Sequence, residues 1–501
     1  MAYDSLRDFL TRLEGSGRLA RVAAPVSAAL EITEIQTRLL RDQGPAVLFE
    51  QVTDRAGQAY DMPVLANLFG TVERVAWAMD REPGQLRQLG EMLAFLDHPV
   101  PPDSLRQAFA MLPLLKSALA RKPKTVSGAP CQEVVLKGGD IDLTRLPIQT
   151  CWPGEPAPLI TWPLVTTRGP DGGKPNTGIY RMQVTGKNTT LMRWLHTRGG
   201  ALHFAQWQAK RGGPMPLAAV IGADPAVLVA AVTPVPEALS EYEFAGILRG
   251  KRVALTDCVS VPLQVPASAE IVLEGHVSLS ETGAEGPYGD HTGYYNAVER
   301  FPVFTVSAIT MRRQPIYLTT FTGRPPDEPS MLGQALNEVF LPMLMRQFPE
   351  ITDFYLPPEA CSYRVAVVSI RKQYPGQAKR VMMGIWSYLR QFLYTKMIIV
   401  VDNDIDARDW KDVMWAIATR FDASRDFTVI DNTPIDYLDF ASPLPELGGK
   451  IGLDATNKIG AETSRDWGKP IRMSDDIVDL VSSKWPSLGL PGSGQPIWKK
   501  P

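Results

Sequence analysis

The chain lacks most of the features that mark an extracellular, membrane-spanning or nucleoside-triphosphate-binding protein. Its 501 residues include only four cysteines, Cys131, Cys151, Cys258 and Cys361. They lie far apart and form no CxxC pair, which argues against a disulfide framework and against a zinc site. No secretory signal opens the sequence, so a reducing cytoplasm is the expected compartment. No run of about 18 consecutive apolar residues occurs, which excludes a transmembrane helix. An excess of one charge is missing too. Lys and Arg number 52 against 54 Asp and Glu, so no nucleic-acid surface is expected. Neither GxGxxG nor a P-loop is present, which leaves a Rossmann dinucleotide site and a Walker NTPase site without support.

What is present is an ordinary globular composition, 45% hydrophobic and 21% charged, with length for about three domains. The 43 prolines exceed the usual ~5% and favour turns and β structure over a helical bundle. The fold expected is mixed α/β and β, with four successive textures. Residues 1–120 read as an α/β unit. Leu6, Phe9, Leu10 and Leu13 recur at helical spacing behind Asp4 or Ser5, Ile32, Ile35, Leu39 and Leu40 mark a second helix, 45–49 a strand, and Val72, Val75, Ala76 and Met79 a third helix. Residues 121–325 carry short strand-like runs at 133–137, 159–167, 177–185, 189–195, 217–221, 226–232, 269–279 and 303–311, with a helical stretch at 240–250. Short strands divided by turn residues predict a barrel or sandwich. Residues 326–470 alternate strand 365–370, helix 377–394, strand 397–402, helix 408–420 and strand 427–431, an order that favours a parallel layer. Residues 471–501 hold a helix starting at Ser474-Asp475-Asp476 with Ile477, Val478, Val481 and Trp485 on one face, suited to docking on another subunit. The tail 491–501 has no expected structure.

Chemistry concentrates in four runs. Glu285-Gly286-Pro287-Tyr288-Gly289-Asp290-His291-Thr292-Gly293-Tyr294-Tyr295 places two acids, a histidine and three tyrosines in one loop. Its glycines and proline disfavour helix. Two nearby acids can have their pKa values driven apart, so that one keeps a proton the other has lost. The plain alternative is a glycine-rich surface turn. In Asn176-Thr177-Gly178-Ile179-Tyr180-Arg181, a strand over 177–185 would put Ile179 and Arg181 on one face. An arginine aimed into a barrel is costly unless it meets an anion; otherwise it is a surface residue. Arg193-Trp194-Leu195-His196-Thr197-Arg198-Gly199-Gly200 joins two arginines, an indole and a glycine pair, which suits a ligand with an aromatic ring and a phosphate. In Ser240-Glu241-Tyr242-Glu243, Glu241 or Glu243 offers oxygen for a hard cation, as does Asn176, although a solvated helix face is the commoner use. Asp402, Asp404 and Asp406 alternate after a strand but lack the EF-hand glycine and glutamate, so capping of the next helix is the expected role.

Taken together, these runs resemble the UbiD family of decarboxylases, most closely its bacterial 3-polyprenyl-4-hydroxybenzoate decarboxylase branch. The likeness extends from 6–10 and 30–35 through all four runs to Gln373-Tyr374-Pro375-Gly376. It implies a central split β-barrel that binds flavin, preceded by the α/β unit and followed by an α/β assembly domain with a terminal helix. It implies prenylated FMN and a divalent metal, Mn2+ or another divalent cation. By position, Asn176 and Glu241 match the metal ligands. Ile179, Tyr180, Arg181, Arg193, Trp194, Leu195, Arg198 and Gly199 match the cofactor contacts. Arg181, Glu285 and Asp290 match the catalytic arginine and acids, with Asp290 as proton donor. Some relatives carry Glu where Asp290 stands. His196 is left without a role. The implied reaction is decarboxylation of 3-polyprenyl-4-hydroxybenzoate to 2-polyprenylphenol in ubiquinone biosynthesis; the alternative is a smaller aromatic or phenolic acid. Implied partners are a flavin prenyltransferase that supplies the cofactor, further copies of the chain (dimer to hexamer) and a ubiquinone-biosynthesis complex. The polyprenyl tail implies a cytoplasmic protein peripheral to the inner face of the cell membrane.

Overall fold

A computed structural model describes residues 3–97, 120–196, 198–210, 212–233, 239–388, 390–491 and 494. The chain divides into two compact units, 1–339 and 340–501, with the division inside the helix Glu328–Gln347. Residues 98–119 of the expected N-terminal unit and nearly all of the tail beyond 491 lie outside the described residues.

The first helix, Leu6–Gly15, buries Leu6, Phe9, Leu10 and Leu13, as their spacing requires, and Ser5 caps it by accepting the Asp8 amide. A four-stranded sheet follows in the order Leu19–Val22, Ala46–Phe49, Val64–Ala66 and Tyr317–Leu318. The last strand returns from far along the chain and pairs parallel with Val64–Ala66. The N-terminal layer is therefore completed by residues that local patterning assigns to the next region. Arg7 reinforces the link with two bonds to the buried Glu270, at 2.9 and 2.8 Å.

Nine strands form the central sheet. Their order is Gly172–Ile179, Leu164–Gly169, Met215–Ile221, Ile271–Glu285, Glu299–Met311, Thr189–Met192, Met182–Val184 and Leu159–Ile160, with Val134–Lys137 also pairing Glu299–Met311. Two sequence expectations need correction. Residues 226–232 belong to a helix, Pro225–Val232, capped by Asp224; the run is apolar on every side and so carries no period to separate helix from strand. The stretch 177–185 is not one strand. It breaks at Tyr180 and Arg181, between Ile179 and Met182. Those flanking strands stand first and seventh in the sheet order. Three residues of chain span at most ~11 Å, so the sheet must curl until its two margins approach. Between the margins, no ladder closes the sheet among the described residues.

In the second unit the strand order is Ile351–Tyr355, Val365–Ile370, Met397–Asp402, Leu447–Ala455 and Phe427–Pro434. The expected parallel layer exists, but its third member is Leu447–Ala455; Phe427–Pro434 lies antiparallel at the edge. Alternation along the strands serves two cores. Ala366, Val368, Ile398 and Val400 pack with the helix Gln377–Tyr388, and Val367, Ile399 and Val401 pack with the helix Trp410–Arg420. The terminal helix Asp475–Lys484 leaves Ile477, Leu480 and Val481 exposed. No helix among the described residues is long and apolar enough to cross a membrane.

Candidate functional site

The strands Ile271–Glu285 and Glu299–Met311 form a long antiparallel pair whose register sets Glu285 opposite Glu299. The glycine-rich loop 286–298 closes this hairpin. On the next ladder, Met182 pairs with Met192, and the Arg193 amide donates to the Arg181 carbonyl at 3.3 Å. Register alone therefore brings Arg181 and Arg193 side by side at the end that carries the acids.

Glu285 lies between them. Arg181 reaches its two carboxylate oxygens through Nε (2.9 Å) and Nη2 (3.3 Å), and Arg193 Nη1 reaches Oε2 at 2.8 Å. The Glu285 side chain is wholly buried, which is tolerable because two cations face it. Arg193 also meets Glu299 at 2.9 Å and stacks over Phe301. Arg181 continues to Asp290 Oδ2 at 3.1 Å and to Asn296 Oδ1 at 2.9 Å, and lies over the Tyr288 ring. These contacts engage four of its five N–H donors. Arg181 and Asp290 each keep 14% of their side-chain surface exposed, so the cluster is sealed at Glu285 and open at Asp290. Burial alone would raise the Asp290 pKa. The bond from the His291 ring at 2.9 Å and the charge of Arg181 prevail and hold it well below the ordinary carboxylate value. The loop geometry is fixed by Asn296, whose Oδ1 also accepts the Tyr288 amide, and by Gln183, which accepts the Gly286 amide.

Side chains of successive residues in extended chain point oppositely, so Tyr180 and Trp194 serve a different face from Arg181 and Arg193. Their rings meet edge to face at 6.5 Å. The helix Gly199–Lys210 starts here with two glycines. A Cβ on Gly199 would fall 1.9 Å from Asn176 Oδ1, and one on Gly200 would fall 2.6 Å from Trp194 Nε1. Only bare backbone fits at this helix start. The Tyr180 hydroxyl accepts from the Asn176 side chain and the Gly200 amide, both at 3.3 Å. Trp194 Nε1 is buried with no hydrogen-bond partner. Glu241, at the first turn of the helix Glu241–Arg249, accepts the Thr177 amide at 3.1 Å, and burial raises its pKa. Asn176 and Glu241 thus reach the same short stretch of strand. Among the described residues no group of three His, Cys, Asp or Glu side chains could hold a metal, so a cation here would rest on this amide and carboxylate together with oxygens from a ligand. The donor types suit a hard cation. The glycine-lined helix start suits a phosphate.

Not every sequence candidate joins the site. Glu243 is taken up by the capping box with Ser240 and by Arg121. Asp402 and Asp404 pair with Arg420, while Asp406 accepts the Arg408 amide and the helix cap is Asp409. His196 is exposed. The guanidinium of Arg193 faces carboxylates, which leaves Arg198, exposed and without an ion pair among the described residues, as the cation of that run available to a phosphate. Sequence reasoning passed over Glu155, Asn296 and Glu299. Asn296 and Glu299 stand just beyond the loop and could have been found by extending it to the next strand; Glu155 carried no local signal except its place in a Trp-Pro-Gly-Glu-Pro turn.

Three family models match in order: the 3-octaprenyl-4-hydroxybenzoate carboxy-lyase N-terminal domain at 10–93, its Rift-related domain at 124–325 and its C-terminal domain at 330–455. The UbiD-class enzyme HmfF from Pelotomaculum thermopropionicum, solved with FMN, is 32% identical with a TM-score of 0.77, over 93% of this chain and 97% of that one. The chain belongs to the UbiD family. An evolved dimeric form of HmfF in complex with prFMN is similar at 31% identity and a TM-score of 0.76, over 93% of this chain and 97% of that one. The vanillic acid decarboxylase of Sedimentibacter hydroxybenzoicus in its closed form is 26% identical with a TM-score of 0.81, over 98% of this chain and 100% of that one. This UbiD-family chain is thus a carboxy-lyase by family, with a mixed α/β fold shared along nearly its whole length.

Proposed function

We propose that this chain decarboxylates an aromatic acid with the help of prenylated FMN, and that its substrate is 3-polyprenyl-4-hydroxybenzoate on the route to ubiquinone. The observation that carries the reading is the Arg181, Glu285 and Asp290 cluster, closed on one side and open on the other, beside a glycine-lined cradle. The FMN and prFMN held by HmfF support the cofactor. Tyr180, Trp194, Leu195, Arg198, Gly199 and the backbone around Ile179 would hold it, the curled sheet being read as a split barrel. Asn176 and Glu241 would hold a divalent cation, Mn2+ among the candidates, beside the cofactor phosphate. When bound, the modified flavin supplies an electron sink for the charge left on the ring as CO2 departs.

The chain's own residues bind, orient and protonate. Arg181 keeps one N–H donor for the substrate carboxylate, and its fork favours a planar anion. Glu285, locked by two guanidiniums, fixes the angle of Arg181. Asp290 rests as a carboxylate. As the substrate carboxylate competes for Arg181, less positive charge acts on Asp290, and its pKa rises. It can then take a proton from water and deliver it to the ring carbon after CO2 has left.

Tyr294, Tyr295 and Val298 are exposed in the same loop as Asp290 and offer an apolar lip for a prenyl tail, each buried CH2 being worth ~0.8 kcal/mol. The second reading, a small phenolic acid, is favoured by the likeness to vanillic acid decarboxylase. The deciding experiment produces the protein alongside a flavin prenyltransferase and measures CO2 release from prenylated 4-hydroxybenzoates, 4-hydroxybenzoate and vanillate. Turnover that rises with the tail supports the lead. Turnover of unprenylated acids alone transfers the assignment to the second reading. The domain limits 1–120, 121–325, 326–470 and 471–501 belong to the same proposal, as do assembly through the exposed helix face of Ile477, Leu480 and Val481 and a cytoplasmic location at the membrane surface.

A further inference from the structure

The loop that presents Asp290 is gripped by a second segment, the turn 151–155, at several points around Gly289. The Glu155 Oε1 accepts the Gly289 amide at 3.4 Å, while its Oε2 accepts the Cys151 amide at 2.7 Å. Trp152 lies so close that a Cβ on Gly289 would meet its Cδ1 at 2.1 Å. The Trp152 indole donates to the Thr322 carbonyl, and the Thr322 hydroxyl donates to the Gly289 carbonyl at 3.0 Å. The Gly154 amide donates to the Tyr295 hydroxyl at 3.0 Å. Both polar groups of Gly289 are therefore held from outside the loop, one by a carboxylate, and Asp290 is the next residue.

Resting on the decarboxylase reading above, we infer that Glu155 is a positioning residue for Asp290: its carboxylate bridges the Cys151 and Gly289 amides and so sets where the Asp290 carboxyl stands relative to Arg181. A carboxylate oxygen accepts an amide strongly only while it carries charge. Burial raises the Glu155 pKa to about 6, against the opposing pull of the Trp152, Cys151 and Gly289 amides and of Arg181. The other titratable groups that face it are the Tyr288 hydroxyl and the Cys151 thiol. As pH falls through about 6, the bridge takes up a proton and weakens, and the loop relaxes while Asp290 is still ionised.

The test compares the wild-type holoenzyme with Glu155→Gln and Glu155→Asp. The Gln variant has one acceptor oxygen for two amides, so kcat is expected to fall about tenfold with KM within about twofold. Its kcat profile should lose the ionisation near pH 6 that the Asp variant keeps. Protection of the 288–296 amides against hydrogen exchange, each rate taken relative to the intrinsic rate at that pH, should fall in the Gln variant at pH 7, and in the wild type as pH is lowered. A folded Gln variant with wild-type kcat and pH profile overturns the inference. So does protection in 288–296 that stays unchanged in the wild type as pH is lowered through about 6, which is read without turnover and without the Gln variant, should that variant not fold. If exchange changes as expected while even the wild type releases no CO2 from any acid, the bridge stands and the decarboxylase reading fails.

Discussion

Two buried networks of arginine and acid stand at strand ends in this chain, and they differ in one respect. In the second unit, Arg420 is 3% exposed and pairs with Asp402 and Asp404, and the fully buried Lys458 pairs with Asp426 and Asp454. Every charge there is answered by another and both cations are sealed from water; Asp404, 14% exposed, is covered by a second cation, Arg472. In the first unit, Arg181 and Asp290 pair just as closely but remain partly open, with a histidine on the outer acid and one guanidinium N–H in reserve. A sealed network stabilises, whereas an open one can exchange its partner for a substrate. Composition does not separate the two. The Asp402, Asp404 and Asp406 alternation is as conspicuous in the sequence as the pair Glu285 and Asp290.

The comparison breaks most sharply at its two arginines. Arg181→Ala is expected to lower turnover about 10^3-fold while the protein stays folded, because Arg193 still faces Glu285. Arg420→Ala should do the reverse. It strands the buried Asp402 and leaves Asp404 only its outer partner Arg472, costs about 3–5 kcal/mol of stability and leaves turnover per folded molecule unchanged. Activity assays beside thermal melts check both; equal behaviour of the two variants would erase the distinction. Asp290→Asn comes next. It should lower kcat by about 10^2 to 10^4-fold with cofactor spectra intact, whereas near-normal kcat would remove Asp290 as the proton donor.

The smallest effect is on stability against pH. Glu328 is buried, accepts from the Phe69 amide and Thr320 hydroxyl, and is raised by burial to about 7. Between its unfolded value and about 7 the folded state holds a proton that the unfolded state has released. Its contribution is therefore full at low pH and lost as pH rises through about 7. Asp290 acts oppositely, since its depressed pKa contributes stability above the ordinary carboxylate value and loses it as pH falls. Glu328→Gln should flatten the alkaline side of the Tm profile by a few degrees, and Asp290→Asn the acid side. An unchanged profile in either variant would show that the group does not titrate differently on folding.

Much of the site was legible because it is built from contiguous runs. The glycines of 286–293 and 199–200 announce close backbone approach, and that approach is visible at Gly199 and Gly200. The helix at 241 was legible as a helical stretch over 240–250, and the structure adds its capping box of Ser240 and Glu243. The strand break at 180–181 was not, because Tyr180 and Arg181 have side chains that a strand accepts. The break follows from the curl of the sheet, a property of nine strands together. Glu155 was equally hidden, since its partner Gly289 lies 134 positions away.

Local chemistry in the sequence determined the helix caps, the glycine cradle, the charge inventory and the family. Tertiary structure alone decided which charges meet: Arg181 finds Glu285 across 104 positions, and Asp290 is held ionised by a ring beside it and a guanidinium from the break between two strands. The reason is that attraction and desolvation depend on distance and burial in space, and strand register, not order along the chain, sets both.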